Sequence, residues 1–139
     1  MTRQQLFAFI QAHELAVLST VSPSRLPEAA LVGIAVTSDV EILFDTARCS
    51  RKYHNLRDNG SVAMVIGWNN STTMQLEGKA AELVDDELDP CRDIYLARFP
   101  EGRRRAEQLD IAYFRVRPQW IRYTNYNQFP PRVMEMTLD

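Results

Sequence analysis

The spacing of hydrophobic and polar positions changes several times along the chain, and each change predicts an element. Leu6, Phe9, Ile10 and His13 fall on one face of a helical repeat behind Thr2, which predicts an amphipathic opening helix over RQQLFAFIQAH. From Leu15 the pattern shortens. LAVLSTVS is apolar and β-branched and stops at Pro23-Ser24-Arg25, so it reads as a strand and a turn. Pro27 opens EAALVGIAVT, a nearly continuous apolar run that predicts one strand covered on both faces, with Gly33 marking a bulge or a close backbone approach. Ser38-Asp39 then turns the chain into VEILFDT. Three strands joined by a few residues each predict an antiparallel meander.

The segment ARCSRKYHNLRDNG places Tyr53, Leu56 and Arg57 at helical spacing, with Leu56 and Tyr53 toward the core. It predicts a helix that begins near Ser50 and stops at Asn59-Gly60 in a left-handed turn. SVAMVIGW predicts another buried strand, and Asn69-Asn70-Ser71 leads into TTMQLEGKAAELV, where Thr73, Gln75 and Glu77 share one face and Met74 and Leu76 the other. A polar face of this kind meets either solvent or a polar cavity.

Asp85-Asp86-Glu87 interrupts the sheet ahead of a helix around PCRDIYLARF, whose Ile94 and Leu96 are expected to cover a sheet end. RRRAEQL predicts a short basic helix or turn, its arginines read as solvated surface first and as a phosphate site second. IAYFRVRP and QWIRYTNY add strands, with Ala112, Phe114 and Val116 inward and Tyr113, Arg115 and Arg117 outward. The tail NQFPPRVMEMTLD breaks at Pro-Pro and then offers an edge strand. The sum is a mainly β, α+β chain: a six- to seven-stranded antiparallel split barrel with peripheral helices, in a single domain over residues 1–139. An open α+β sheet is the alternative.

Composition narrows the function. A net charge of -2 gives no electrostatic reason to expect nucleic acid, and 45% hydrophobic with 24% charged residues is ordinary for a globular domain. Cys49 and Cys91 lack metal-ligand spacing, so neither a disulfide framework nor a metal site is expected, and a reducing cytoplasm is the simplest location. No secretion signal and no long apolar span is read, which predicts no membrane partner. His13 reads as a C-terminal helix residue and His54, one turn from Ser50, as a surface residue within reach of the same site; neither has a triad-type partner.

The chemistry concentrates in residues 41–68, where two apolar runs flank Ser50, Arg51 and Lys52. A strand ending at Thr46 and a helix starting near Ser50 present unpaired N–H groups to an anion, and two cations stand beside them. An N-cap serine followed by solvated cations accounts for the same residues.

The order of these segments, and above all T-x-x-x-S-R-K-x-x-N-L over residues 46–56 with E-G-K-A at 77–80, resembles the flavin-binding split-barrel family of pyridoxamine 5'-phosphate oxidase-like proteins, in its small general-stress-protein branch. The resemblance implies an FMN-dependent oxidoreductase acting on a small-molecule substrate or a reduced nicotinamide, with FMN held at a homodimer interface. It assigns the phosphate to Ser50, Arg51 and Lys52, the strand end beside the phosphate and ribityl chain to Asp45 and Thr46, and the backbone along the flavin edge to Ala29, Ala30, Leu31 and Val32. Thr73 and Gln75 are implied to face the ring, and Trp120 either crosses the dimer to it or packs in the core or interface. Ala30 stands where many FMN-binding relatives carry an arginine directed at the phosphate. Weaker FMN binding, a deazaflavin coenzyme, haem, or no cofactor are the alternatives this leaves open, including a binding protein without turnover. No catalytic residue is implied, because hydride transfer at a flavin needs no general acid or base.

Overall fold

The structure is a computed structural model and describes residues 1–138. The elements follow in the order α1 (Arg3–Gln11), β1 (Leu15–Val21), β2 (Pro27–Gly33), β3 (Ala35–Val36), β4 (Ile42–Ala47), α2 (Arg51–Asp58), β5 (Ser61–Ile66), β6 (Thr72–Glu82), α3 (Leu88–Arg98), α4 (Gly102–Gln108), β7 (Ile111–Asn125) and β8 (Arg132–Thr137), with a 3₁₀ turn at Asp85–Glu87. Thr2 caps α1 as predicted, in a capping box with Gln5.

Hydrogen bonding runs β2-β1-β5-β6-β7-β4-β3, and every pair is antiparallel. The two ends of this path are neighbours in the chain, since Ile34 alone separates β2 from β3. The run 27–36 therefore pairs with β1 in its first part and with β4 in its last, which closes the sheet into a barrel. The expected single strand is thus divided, and seven strands become eight when the two parts are counted separately. β7 is long enough to serve two layers: Ile42–Ala47 pairs with its first part, and β8 pairs with its last part, outside the closed path.

The apolar runs explain two cores. Ile34, Ile42, Phe44, Met64, Ile66, Met74, Leu76 and Ile121 fill the barrel, plugged by Leu6 and Ile10 from α1 and by Leu56 from α2. Leu43 points the other way, into a second cluster with Ala35, Leu83, Tyr95, Leu96 and Tyr113 beneath α3. Burial on both faces is why EILFDT shows no clean alternation. Each such side chain contributes about 1.5–3 kcal/mol by leaving water.

Three local expectations are corrected. Tyr113 is buried under α3 rather than outward, and Tyr95 and Leu96 cover the sheet while Ile94 is exposed. Helix α2 ends without a left-handed residue: Asn59 is extended at φ -146, and its side chain accepts from the Ser61 N–H at 3.0 Å. His54 is exposed on α2.

Register between β6 and β7 slips at Glu77/Gly78, where the two backbones approach closely. A Cβ on Gly78 would lie 2.4 Å from the Arg117 carbonyl oxygen. Gly78→Ala is expected to destabilise the fold by about 1–3 kcal/mol through this overlap, read as a lower urea midpoint. An unchanged midpoint would show that the strands part there without cost.

Candidate functional site

Because β2 and β3 part at Ile34, β2 and β4 splay. β3 pairs with Ile42 and Leu43 only, so the β4 edge from Phe44 to Ala47 has no strand beside it, and neither has the edge of β2 that faces away from β1. The split is a cleft of about 420 Å³. Leu31, Val32 and Gly33 form one wall, Asp45, Thr46 and Ala47 the other, and Ser50 and Lys52 stand at the start of α2. Its volume lies within the range of small-molecule sites.

A clamp holds the α2 end of the cleft in place. The Arg48 N–H donates to the Asp110 carbonyl at 2.9 Å, and its guanidinium donates to the Asp110 carboxylate at 3.1 Å, to Tyr53 Oη at 3.1 Å and to Glu82. Tyr53 Oη donates in turn to Glu82 at 2.9 Å. These bonds tie the β4–α2 turn to the end of β6 and the start of β7, and they hold the Arg48 pKa well above its ordinary value, chiefly through Glu82. Ser50 Oγ accepts from the Tyr53 N–H at 3.2 Å as the N-cap and shares a hydrogen bond with Thr46 Oγ1 at 2.7 Å.

Helices α3 and α4 supply a third wall that the sequence patterns did not mark: Tyr95, Phe99, Glu101, Arg105 and Leu109. The signal was present in the i, i+4 spacing of Tyr95 and Phe99, whose rings lie 5.0 Å apart. Phe99 also explains Gly33, where a Cβ would come within 3.0 Å of its ring. Asp45, nearly enclosed, accepts from Tyr95 Oη at 3.2 Å and is ion-paired with Arg105.

Of the expected site residues, Leu31, Val32, Asp45, Thr46, Ser50 and Lys52 line this one cleft. Ala29, Ala30, Arg51 and again Lys52 border a separate hollow of about 80 Å³ on the barrel side of β2. There Arg51 donates to Glu28 at 2.9 Å, and buried Asn55 donates to Glu28 at 2.7 Å and to Thr20 at 3.0 Å. Thr73, Gln75 and Trp120 do not join the cleft within one chain. They lie on β6 and β7, where Gln75 and Glu77 are exposed and Trp120 Nε1 donates to Glu135 on β8 at 2.9 Å. His13 lies at another hollow with Trp68, its Nδ1 bonded to the Phe9 carbonyl at 2.7 Å.

Residues 2–125 match the family described as pyridoxamine 5'-phosphate oxidase. No curated protein matches the sequence. Among solved structures, a haem-binding protein from Mycobacterium smegmatis superposes with a TM-score of 0.82 at 17% identity, over 99% of this chain and 58% of its own. General stress protein 26 from Bacillus anthracis gives 0.70 at 18% identity, over 96% and 98%. A pyridoxamine 5'-phosphate oxidase-related, FMN-binding protein from Nostoc punctiforme gives 0.69 at 10% identity, over 99% and 93%. At these identities the likeness is one of fold, and the chain spans little more than half of the Mycobacterium protein.

Burial pushes the Tyr95 phenol well above its ordinary value of 10.0, and the Asp45 carboxylate beside it pushes further in the same direction. The folded chain holds this proton more tightly than the unfolded chain does. Stability from Tyr95 is therefore complete below about pH 10 and falls as pH rises beyond it. Denaturation midpoints across pH 8–11 are expected to fall more steeply at the alkaline end for the wild type than for Tyr95→Phe. Parallel curves would remove Tyr95 as the titrating group.

Proposed function

The chain belongs to the pyridoxamine 5'-phosphate oxidase family, and on that premise we propose that it binds FMN in the β2–β4 cleft and acts as an FMN-dependent oxidoreductase on a small organic substrate or a reduced nicotinamide. The observation that carries this reading is the meeting of two unpaired strand edges with the Ser50–Lys52 turn in one cleft. Backbone groups left free on the outer edge of β2 beside Leu31, Val32 and Gly33 suit the pyrimidine edge of a flavin, and the Thr46 and Ser50 hydroxyls with Lys52 suit its phosphate. The donor set thus fits the group. Bound there, the flavin supplies hydride chemistry. The protein's part is to hold the edge, place the phosphate and screen the ring from water with Leu31, Phe99 and Leu109.

The outer face carrying Thr73, Gln75 and Trp120 is the surface that a second copy brings to the cleft in a homodimer. Neither histidine lines the cleft, so a haem bound there would take no imidazole ligand from the same chain. Among the described residues no helix is long and apolar enough to cross a membrane.

Fluorescence titration with FMN checks the assignment. Lys52→Ala is expected to weaken FMN binding by about tenfold, the loss of one charge-assisted contact. If FMN neither binds nor raises the melting temperature of the wild type, the flavin reading is lost. Reduction of bound flavin by a nicotinamide donor separates an oxidoreductase from a binding protein.

A further inference from the structure

The cations around the cleft are not equivalent. Arg51 is exposed, and its Nε is committed to Glu28, a carboxylate of the chain's own that also holds Asn55. With Ala30 beside that pair, Arg51 stays turned to Glu28 on the barrel side of β2, and Lys52, which borders both hollows, is the cation shared with the cleft. Arg105 approaches from the opposite wall. All three successive arginines on α4 are exposed, but of the three Arg105 alone lines the cleft. Its Nη2 is spent on Asp45, yet 44% of the side chain remains open beside Lys52 and the Thr46 and Ser50 hydroxyls. A guanidinium can serve a carboxylate and a phosphate at once, because its donors point in several directions in one plane.

We propose that Arg105, paired with Lys52, is the cationic seat for the anionic end of the bound cofactor, taking the role left vacant at Ala30. This inference rests on the flavin reading and names the phosphate contact within it. Asp45 and Tyr95 are then positioning residues: the carboxylate, braced by the phenol, aims the guanidinium. The helix that carries Arg105 becomes part of the cofactor site rather than a peripheral insertion.

The test titrates FMN and riboflavin, which share a ring and differ in the phosphate, against wild type, Arg105→Ala, Arg105→Ala/Asp45→Asn and Arg103→Ala. Arg105→Ala is expected to raise the FMN Kd by about tenfold or more while leaving riboflavin unchanged, with Arg103→Ala silent. The double variant removes the carboxylate that the single one leaves bare, so it keeps the melting temperature near wild type and still shows the FMN loss. Recovery of FMN affinity in the double variant overturns the proposal, since Arg105 would then act only by masking Asp45. Equal losses for FMN and riboflavin overturn it too. If the wild type binds neither flavin, the flavin reading fails and inorganic pyrophosphate decides the seat alone: a thermal shift seen in wild type and lost in Arg105→Ala supports it, and any other pattern overturns it.

Discussion

Closure of the barrel depends on one short run of chain changing partners at Ile34. Residues 27–33 bond to β1 and residues 35–36 to β4, so a single strand completes the ring while diverging from the next. Full pairing would have satisfied every edge and left no cleft; an open sheet would have left longer ones. The compromise leaves unpaired backbone groups along β2 and β4 only where they overlook a concave space. Ile34 itself is fully buried and its N–H bonds to the Glu14 carbonyl at 2.9 Å, so the change of partner is anchored rather than frayed.

Charge acts on this frame as a placing force more than a stabilising one. The ion pairs of Arg48 and Arg51 are partly exposed, where such pairs contribute at most about 1 kcal/mol each, against the much larger sum from the two apolar clusters. What they do is fix direction. Arg48 decides where α2 begins, Glu28 decides where Arg51 points, and Asp45 holds Arg105 against the cleft wall.

Much of this was legible in the sequence. Apolar runs and turn residues located the strand-forming stretches, although IAYFRVRP and QWIRYTNY, expected as two strands, run on as the single β7, and the Ser50 N-cap was readable because capping is a local property of side chain and backbone. The strand break at Ile34 was not readable, since both halves are equally apolar and only the tertiary choice of partner separates them. Tyr113 was misplaced for a related reason: an alternating strand reads as half exposed until something covers its outer face, and α3 does so here. The third wall of the cleft escaped because Arg105 lies among three arginines, and nothing local distinguishes the one that turns inward. Long-range pairing across sixty positions, as between Arg105 and Asp45, leaves no periodic trace. For Thr73, Gln75 and Glu77 the alternation was read correctly, and one chain does not bring that face to the cleft.

The Arg48 clamp joins the turn before α2 to β6 and β7, strands whose other contacts lie deep in the barrel. Local opening of the cleft's rim cannot then be a private event. Releasing the turn before α2 strips Glu82 and Asp110 of their partner at the ends of two central strands, so opening of the rim is coupled to those strand ends. A ligand held at the rim would accordingly slow amide exchange far beyond the residues it touches, by mass action on a shared opening equilibrium.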